Sequence, residues 1–433
     1  MPLLFDLLYL LALLLLLPWL AWRSATTGRY RRGLAAKLLG HVQIHNPEAK
    51  PVIWFHGVSV GEIHLLGVVV AAFRKRHPNW FVAVSSTTDT GLDEARKRFA
   101  DCAVVPFPFD FSWACDNALS AIRPDLVVLA ESELWPNFLA VAARRKVPVA
   151  VINARMSPRS FSRLKRFAGA ARTLLFRHVA AFGVQSAEYA ERLKLLGVSA
   201  EKLAVTGSVK YDGATGDRDA PKARELKRLL ALNHEALVWV AGSTHAPEES
   251  IVLQIFARLR LKFPHLHLIL VPRHPDRFAE VVALVAKSGL PFVRRSELEQ
   301  PASQTPAVVV LDTLGELGAA WAIADVGFTG GSLDGHRGGQ SMIEPAGFGV
   351  PTLFGPHVWN FRDAARNLLD SGGAILVKDA SELEVRLVEL LNDPERRKRM
   401  GTAARELVRA QQGATERTLD VLDRVLSLRR SGR

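Results

Sequence analysis

The sequence predicts an α/β protein of two doubly wound parallel sheets with a cleft between them, preceded by an apolar helix. Three observations predict it. Short β-rich apolar runs alternate with stretches of helical spacing, which implies parallel sheets covered by helices on both faces. The alternation stops over Tyr211–Ala223 (YDGATGDRDAPKA), a Gly-, Asp- and Pro-bearing segment with no apolar rhythm, and then restarts. Leu3–Trp22 carries a single charge, Asp6. At 433 residues, the chain has room for about two or three domains. The expected organisation is an anchor over 1–23, a first domain over 24–210, a linker over 211–223 and a second domain over 224–433 that includes the C-terminal helices.

The elements follow in order. About twenty apolar residues suffice to cross a bilayer as a helix. No basic residue precedes the run and no small-residue cleavage pattern closes it, so an uncleaved anchor is expected rather than a signal peptide. Arg23, Arg29, Arg31, Arg32 and Lys37 follow, which places that flank and the globular part in the cytoplasm. Pro18 leaves a spanning helix and a kinked interfacial one both open. In the first half, Val52–Phe55, Phe81–Ser85, Leu126–Leu129, Val147–Ile152 and Ala181–Val184 read as strands, with helical spacing over Ile63–Phe73 and Ala187–Leu196. In the second half the strands are Leu237–Ala241, Leu266–Val271, Val308–Leu311, Asp325–Phe328 and Pro351–Phe354.

The charge balance narrows the partners. Lys and Arg number 56 against 43 Asp and Glu, a formal +13, which points to an acidic partner. Between Glu133 and Glu188 there is no acidic residue, yet ten Lys and Arg fall there, among them Arg155, Arg159, Arg163, Lys165 and Arg166. That stretch reads as a docking face for anionic lipid or phosphate, and the apolar segment favours membrane over nucleic acid. Two cysteines exclude a disulfide scaffold. The histidines make neither HExxH nor a zinc spacing, and no DxD clamp stands out, so no metal or other cofactor is expected.

Several strand-to-helix turns carry chemistry. In Trp54-Phe55-His56-Gly57-Val58-Ser59-Val60-Gly61-Glu62, the Glu62 carboxylate stands at a helix start, where it either complements the helix dipole or serves as a general base. Glu131-Ser132-Glu133 follows a strand, and two close carboxylates either cap the next helix or polarise a substrate. Lys210 of Gly207–Asp212 supplies a point charge. Gly242–His245 is a turn able to contact phosphate, and Pro272-Arg273 offers a counter-charge for a leaving phosphate. Asp312–Leu317 is a further strand-to-helix turn. Gly330–Ser332 with Gly338–Pro345 permits close approach of a nucleotide, with Glu344 placed for ribose hydroxyls.

These segments in their order (HGVSVGE, ESELWPN, INARMS, GSVKYD, AGSTHAPEE, VPRHPDRF, DTLGEL, GGQSMIEPAGFGVP and FGPHVWNFRD) resemble the 3-deoxy-D-manno-octulosonic acid (Kdo) transferases over essentially the whole chain. The resemblance implies a glycosyltransferase-B fold of two Rossmann-like domains. It also implies CMP-Kdo as donor and a tetra-acylated, bisphosphorylated lipid A precursor (lipid IVA) as acceptor at the inner membrane. By motif, Glu62 takes the place of the catalytic base, and Glu131 and Lys210 those of transition-state stabilising residues. Pro272 and Arg273, Leu314, Gly315 and Glu316, and Ser341, Met342, Ile343 and Glu344 take the place of the CMP-contacting stretches. The family's usual GGHNPLEP reads GGQSMIEP here. Two alternatives stand beside it: another enzyme of this fold using a UDP-sugar, the UDP-GlcNAc 2-epimerases included, and a membrane-tethered binding protein without catalysis.

Overall fold

The computed structural model describes residues 2–27, 33–131, 133–214 and 216–431. The chain divides into two compact units, Met1–Asp212 with Gln412–Arg433, and Gly213–Gln411. The division falls at the start of the expected linker. The end of the chain departs from expectation: the last helix belongs to the first unit, not the second.

In unit 1, helices α1 (Pro2–Thr27) and α2 (Leu34–Leu39) precede β1 (Val52–His56) and α3 (Val60–Arg76). Then come β2 (Phe81–Ser86), α4 (Asp89–Arg98), β3 (Ala103–Pro106), α5 (Ser112–Ile122), β4 (Leu126–Ala130) and α6 (Pro136–Arg144). After β5 (Val149–Ala154) the chain runs through α7 (Pro158–Lys165), α8 (Ala168–Leu174), β6 (Ala181–Val184), α9 (Ala187–Leu195) and β7 (Leu203–Val205). All pairs are parallel, in the order β3-β2-β1-β4-β5-β6-β7.

Parallel strands covered on both faces need apolar side chains on both. Trp54, Val127 and Leu129 enter one core cluster, while Ile53, Phe55, Leu126 and Val128 enter the other. That second core is completed from the far end of the chain by Leu419, Leu422, Val425 and Leu426. They lie on the C-terminal helix, whose Glu416, Asp420 and Asp423 all pair with Arg76. This packing explains why the helix returns to unit 1: its apolar stripe is the missing cover of that sheet.

Unit 2 runs α10 (Pro221–Leu229), β8 (Leu237–Thr244), α11 (Glu248–Lys262), β9 (Leu266–Pro272), α12 (Phe278–Lys287) and β10 (Phe292–Arg294). It continues through β11 (Val308–Val310), α13 (Leu317–Ile323), β12 (Val326–Thr329), α14 (Ile343–Gly347) and β13 (Thr352–Phe354). Helix α15 (Arg362–Asp370), β14 (Ala374–Leu376), α16 (Ala380–Asn392) and α17 (Pro394–Gln411) close it, before α18 (Ala414–Ser431) re-enters unit 1. The parallel order is β10-β11-β9-β8-β12-β13-β14. Trp239 and Ala241 face one core, and Val238 and Val240 the other.

Among the described residues no helix is long and apolar enough to cross a membrane. Of the two forms left open for the expected anchor, the spanning one is not found among these residues, although α1 forms over the apolar run. Arg29, Arg31 and Arg32 of its basic flank lie outside the described residues.

Candidate active site

In a doubly wound sheet, neighbouring strands whose crossovers leave in opposite directions part at their carboxyl ends, and ligands bind in that crevice. The first sheet reverses between β1 and β4 and the second between β8 and β12. The turns with Glu62 and Glu131 follow β1 and β4, and those with His245 and Gly330–Ser332 follow β8 and β12, whereas Lys210, Arg273 and Leu314–Glu316 follow β7, β9 and β11.

In unit 1, Ser59 caps α3 and accepts from the Glu62 N–H, while the Glu62 carboxylate accepts from the Val58 N–H (2.7 Å) and the Ser59 hydroxyl (3.0 Å). This reciprocal cap fixes Glu62 at the mouth of the crevice. Gly57 makes room: a Cβ there would stand 3.0 Å from that of Glu62. Burial raises the Glu62 pKa and Glu131 adds to the rise, while the Val58 N–H, the Ser59 hydroxyl and Lys210 oppose it. The helix-capping role and the poised carboxylate coexist in one side chain.

Glu131 follows β4 with φ +59°, a left-handed conformation that L-residues rarely adopt and that costs roughly 1–2 kcal/mol. Strain of this kind gathers at functional sites. The Glu131 carboxylate lies between Lys210 Nζ (3.5 Å) and Arg155 Nε (3.4 Å). Burial raises the pKa of Glu133 too, with Glu62 and Glu131 contributing. Glu62, Glu131 and Lys210 are thus brought together, with Glu133 and Arg155 beside them. The sequence places Arg155 among the residues expected to dock acceptor or membrane, and the structure sets it against Glu131. The signal for it was the position of INARMS at the end of β5, next to β4 in the sheet. Buried Asn153, at φ +52°, accepts from the Val209 N–H (3.2 Å) and so fixes the turn carrying Lys210. Buried His56 is not part of this charge system. It stacks on Phe107, and burial lowers its pKa to about 3.

Six more residues of the basic stretch fall into two groups. Arg144 and Arg145 both pair with Asp116 at 2.7 Å, so an acid-free sequence is not acid-free in space. Arg159, Arg163, Lys165 and Arg166 are exposed at α7, a helix with no buried residue.

In unit 2, Ser243 takes φ +55° one residue before the end of β8, and the chain turns through His245 into α11. Glu248, fully buried, accepts four backbone N–H bonds: His245 (3.1 Å), Gly331 (2.6 Å), Ser332 (2.9 Å) and Leu333 (3.1 Å). Gly331, at φ +65°, then receives the Gly339 N–H, and the Gln340 amide meets His245 Nε2 at 3.2 Å. Burial lowers the His245 pKa to about 4, so the ring is neutral at pH 7. Glu248 and Gln340 were not singled out as positioning groups from sequence; the Glu-rich start of α11 was the available signal.

The residues expected from sequence to contact a nucleotide follow β9, β11 and β12. Pro272 is buried and exposed Arg273 follows it, its N–H donated to the Thr244 carbonyl. Glu344 reaches solvent, yet the protein crowding it raises its pKa, with Arg273 and the Ser341 hydroxyl opposing. Met342 and Ile343 are buried, which leaves only their backbone for a ligand. After β11, Leu314 is exposed, Gly315 takes φ +80°, and Glu316 is tied to Arg295 (2.9 Å) and to the Thr313 hydroxyl. Among the described residues no cluster of three or more His, Cys, Asp or Glu side chains is arranged to hold a metal.

Two parallel seven-stranded sheets with polar turns at both reversals define the glycosyltransferase-B class of fold. Solved structures share it, among them UDP-GlcNAc 2-epimerase from Neisseria meningitidis bound to UDP-GlcNAc (TM-score 0.57, 13% identity, covering 86% of this chain and 100% of that one). A glycosyltransferase from Rickettsia africae is another (TM-score 0.56, 12% identity, 87% and 99%). Within that class the sequence is specific. Residues 30–213 match the family model described as 3-deoxy-D-manno-octulosonic-acid transferase (kdotransferase). The Haemophilus influenzae 3-deoxy-D-manno-octulosonic acid transferase is 33% identical over 94% of this chain and 95% of its own, and the Bordetella pertussis enzyme 35% identical over 87% and 88%. The chain belongs to the 3-deoxy-D-manno-octulosonic acid transferase family.

Proposed function

We propose that the chain transfers Kdo from CMP-Kdo to the tetra-acylated, bisphosphorylated lipid A precursor, with inversion and with Glu62 as general base. The observation that carries this reading is the Glu62 carboxylate at the β1–β4 crevice, its pKa raised by burial and by Glu131. A carboxylate so placed accepts a proton more readily than one in water.

Glu62 takes the proton of the acceptor's primary hydroxyl. The freed oxygen bonds to the anomeric carbon of Kdo as the bond from that carbon to the CMP phosphate oxygen breaks, and CMP departs with the electron pair. Glu131 and Lys210 stabilise charge at the reacting centre, and Arg273 meets the leaving phosphate. Ser341, Glu344 and the backbone of Met342 and Ile343, with Pro272 and Leu314–Glu316, hold CMP. A monophosphate leaving group needs less counter-charge than a diphosphate, so the reading invokes no metal. An acidic donor and a bisphosphorylated acceptor suit a chain of formal charge +13.

The test is incubation of the purified protein with CMP-Kdo and the lipid A precursor, the products read by mass spectrometry. Mass increments of Kdo on the precursor are expected. Glu62→Gln is expected to abolish transfer while CMP-Kdo still binds; near-normal turnover in that variant would remove Glu62 from its role.

A further inference from the structure

The end of β2 and the turn after it carry four hydroxyl residues in a row, Ser85-Ser86-Thr87-Thr88. Strand β2 lies beside β1 on the side away from β4, with Ser85 opposite His56. Such a run ends a strand readily, because Ser and Thr side chains offer the backbone partners other than the ladder. Thr88 then caps α4, its hydroxyl accepting from the Gly91 N–H (3.1 Å).

Capping alone does not explain where these hydroxyls send their protons. Ser86 Oγ donates to the Val58 carbonyl (2.9 Å), and Thr88 Oγ1 donates to the same oxygen (2.6 Å). Ser86 is fully buried and stands two residues before the cap, so the cap does not require it. Val58 is also the residue whose N–H donates to the Glu62 carboxylate at 2.7 Å. One residue is therefore gripped at both ends. Its carbonyl, with both acceptor positions taken, is held from the β2–α4 turn, and its N–H is held on the carboxylate.

Gly91, in the first turn of α4, keeps room for these bonds. A Cβ there would stand 2.3 Å from Ser86 Oγ, 2.8 Å from Thr88 Oγ1 and 2.9 Å from the Val58 oxygen. Glycine within a helix is otherwise unfavourable relative to alanine.

We infer that Ser86, Thr88 and Gly91 form a clasp that positions the Glu62 carboxylate through Val58. They are positioning residues, and the inference rests on the reading of Glu62 as general base. The charged groups near Glu62 are Glu131 and Glu133 after β4 and Lys210 after β7. On the side of α4, Asp89 is paired with Lys37 (3.0 Å) and Glu94 with His64 (2.7 Å). Replacing a hydroxyl removes none of these charges, so a change in the titration of Glu62 reports the Val58 bond. That bond favours the ionised carboxylate, and loosening it raises the Glu62 pKa further.

The test compares rate–pH profiles of the purified full chain and its Ser86→Ala/Thr88→Val variant, with CMP-Kdo and the lipid A precursor as substrates. The acid limb of kcat/KM should move to higher pH and kcat should fall about tenfold, with the KM for CMP-Kdo unchanged. Thr88→Ser keeps a hydroxyl and should leave the limb in place. Gly91→Ala keeps every bonding group but crowds the clasp, and should repeat the shift whether or not the double variant folds. An unmoved limb in Gly91→Ala or the double variant, beside a moved limb in Ser59→Ala, overturns the clasp and leaves Glu62 as base. Near-normal turnover in Glu62→Gln would instead remove the base, and the clasp with it.

Discussion

On the proposed mechanism one side chain, Glu62, serves the fold and the chemistry together. Its position three residues after the capping Ser59 is readable from sequence, and so is its place at a strand-to-helix turn. The electrostatic neighbours are not readable, because Glu131 and Lys210 come from turns about 70 and 150 residues further along. A raised pKa in the base means that kcat/KM falls, as pH is lowered, with a midpoint above the ordinary glutamate range near 4.5. The Ser59 hydroxyl opposes that rise, so Ser59→Ala should move the acid limb to higher pH. A pH profile of kcat/KM for both proteins checks this, and a limb that stays in place contradicts the assignment. Arg155 shows the converse. Its sequence neighbourhood is basic and points to an anionic acceptor or lipid, but the acid it pairs with, Glu131, stands at the end of the adjacent strand.

At the level of elements, the ten strands read from sequence all form. The four that were not read, β3, β7, β10 and β14, are the outer strands of the two sheets. Each has only three or four residues, and an edge strand needs apolar cover on less of its surface, so the apolar run that betrays a central strand is missing. The donor turn was legible only in outline. Its glycines suggested a cradle for phosphate, whereas three N–H groups of Gly331–Leu333 are already taken by Glu248. A protein carboxylate thus occupies the place expected for an anionic ligand, and it sets the turn from which Gln340 and Ser341 follow. Glu248→Gln puts an amide N–H against backbone donors, losing charge-assisted bonds of about 1.5–3 kcal/mol. The KM for CMP-Kdo should rise about tenfold or more while that for the acceptor stays unchanged. A variant that only melts earlier, with both constants unmoved, would reduce Glu248 to a purely structural role.

For the whole molecule, the unexpected feature is the chain's closing move: after completing unit 2 it returns to finish unit 1. The sequence order places the C-terminal helices with the second domain, because nothing in the residues of one helix says which sheet its leucines cover. The choice is made by Arg76, which gathers three acids of α18, and by the face of the first sheet left open to Leu419, Leu422 and Leu426. Each unit therefore owns separate cores, and damage to one core should be felt in that unit first. Leu422 is fully buried in unit 1 and Leu390 in unit 2. Truncation of either to Ala costs about 2–5 kcal/mol, a large part of a domain's usual 5–15 kcal/mol. In calorimetry, Leu422→Ala is expected to lower one unfolding transition and Leu390→Ala the other, although Leu422 stands 32 residues further along the chain. If both variants lower the same transition, the two units unfold as one cooperative block and the separation of their cores carries no thermodynamic independence.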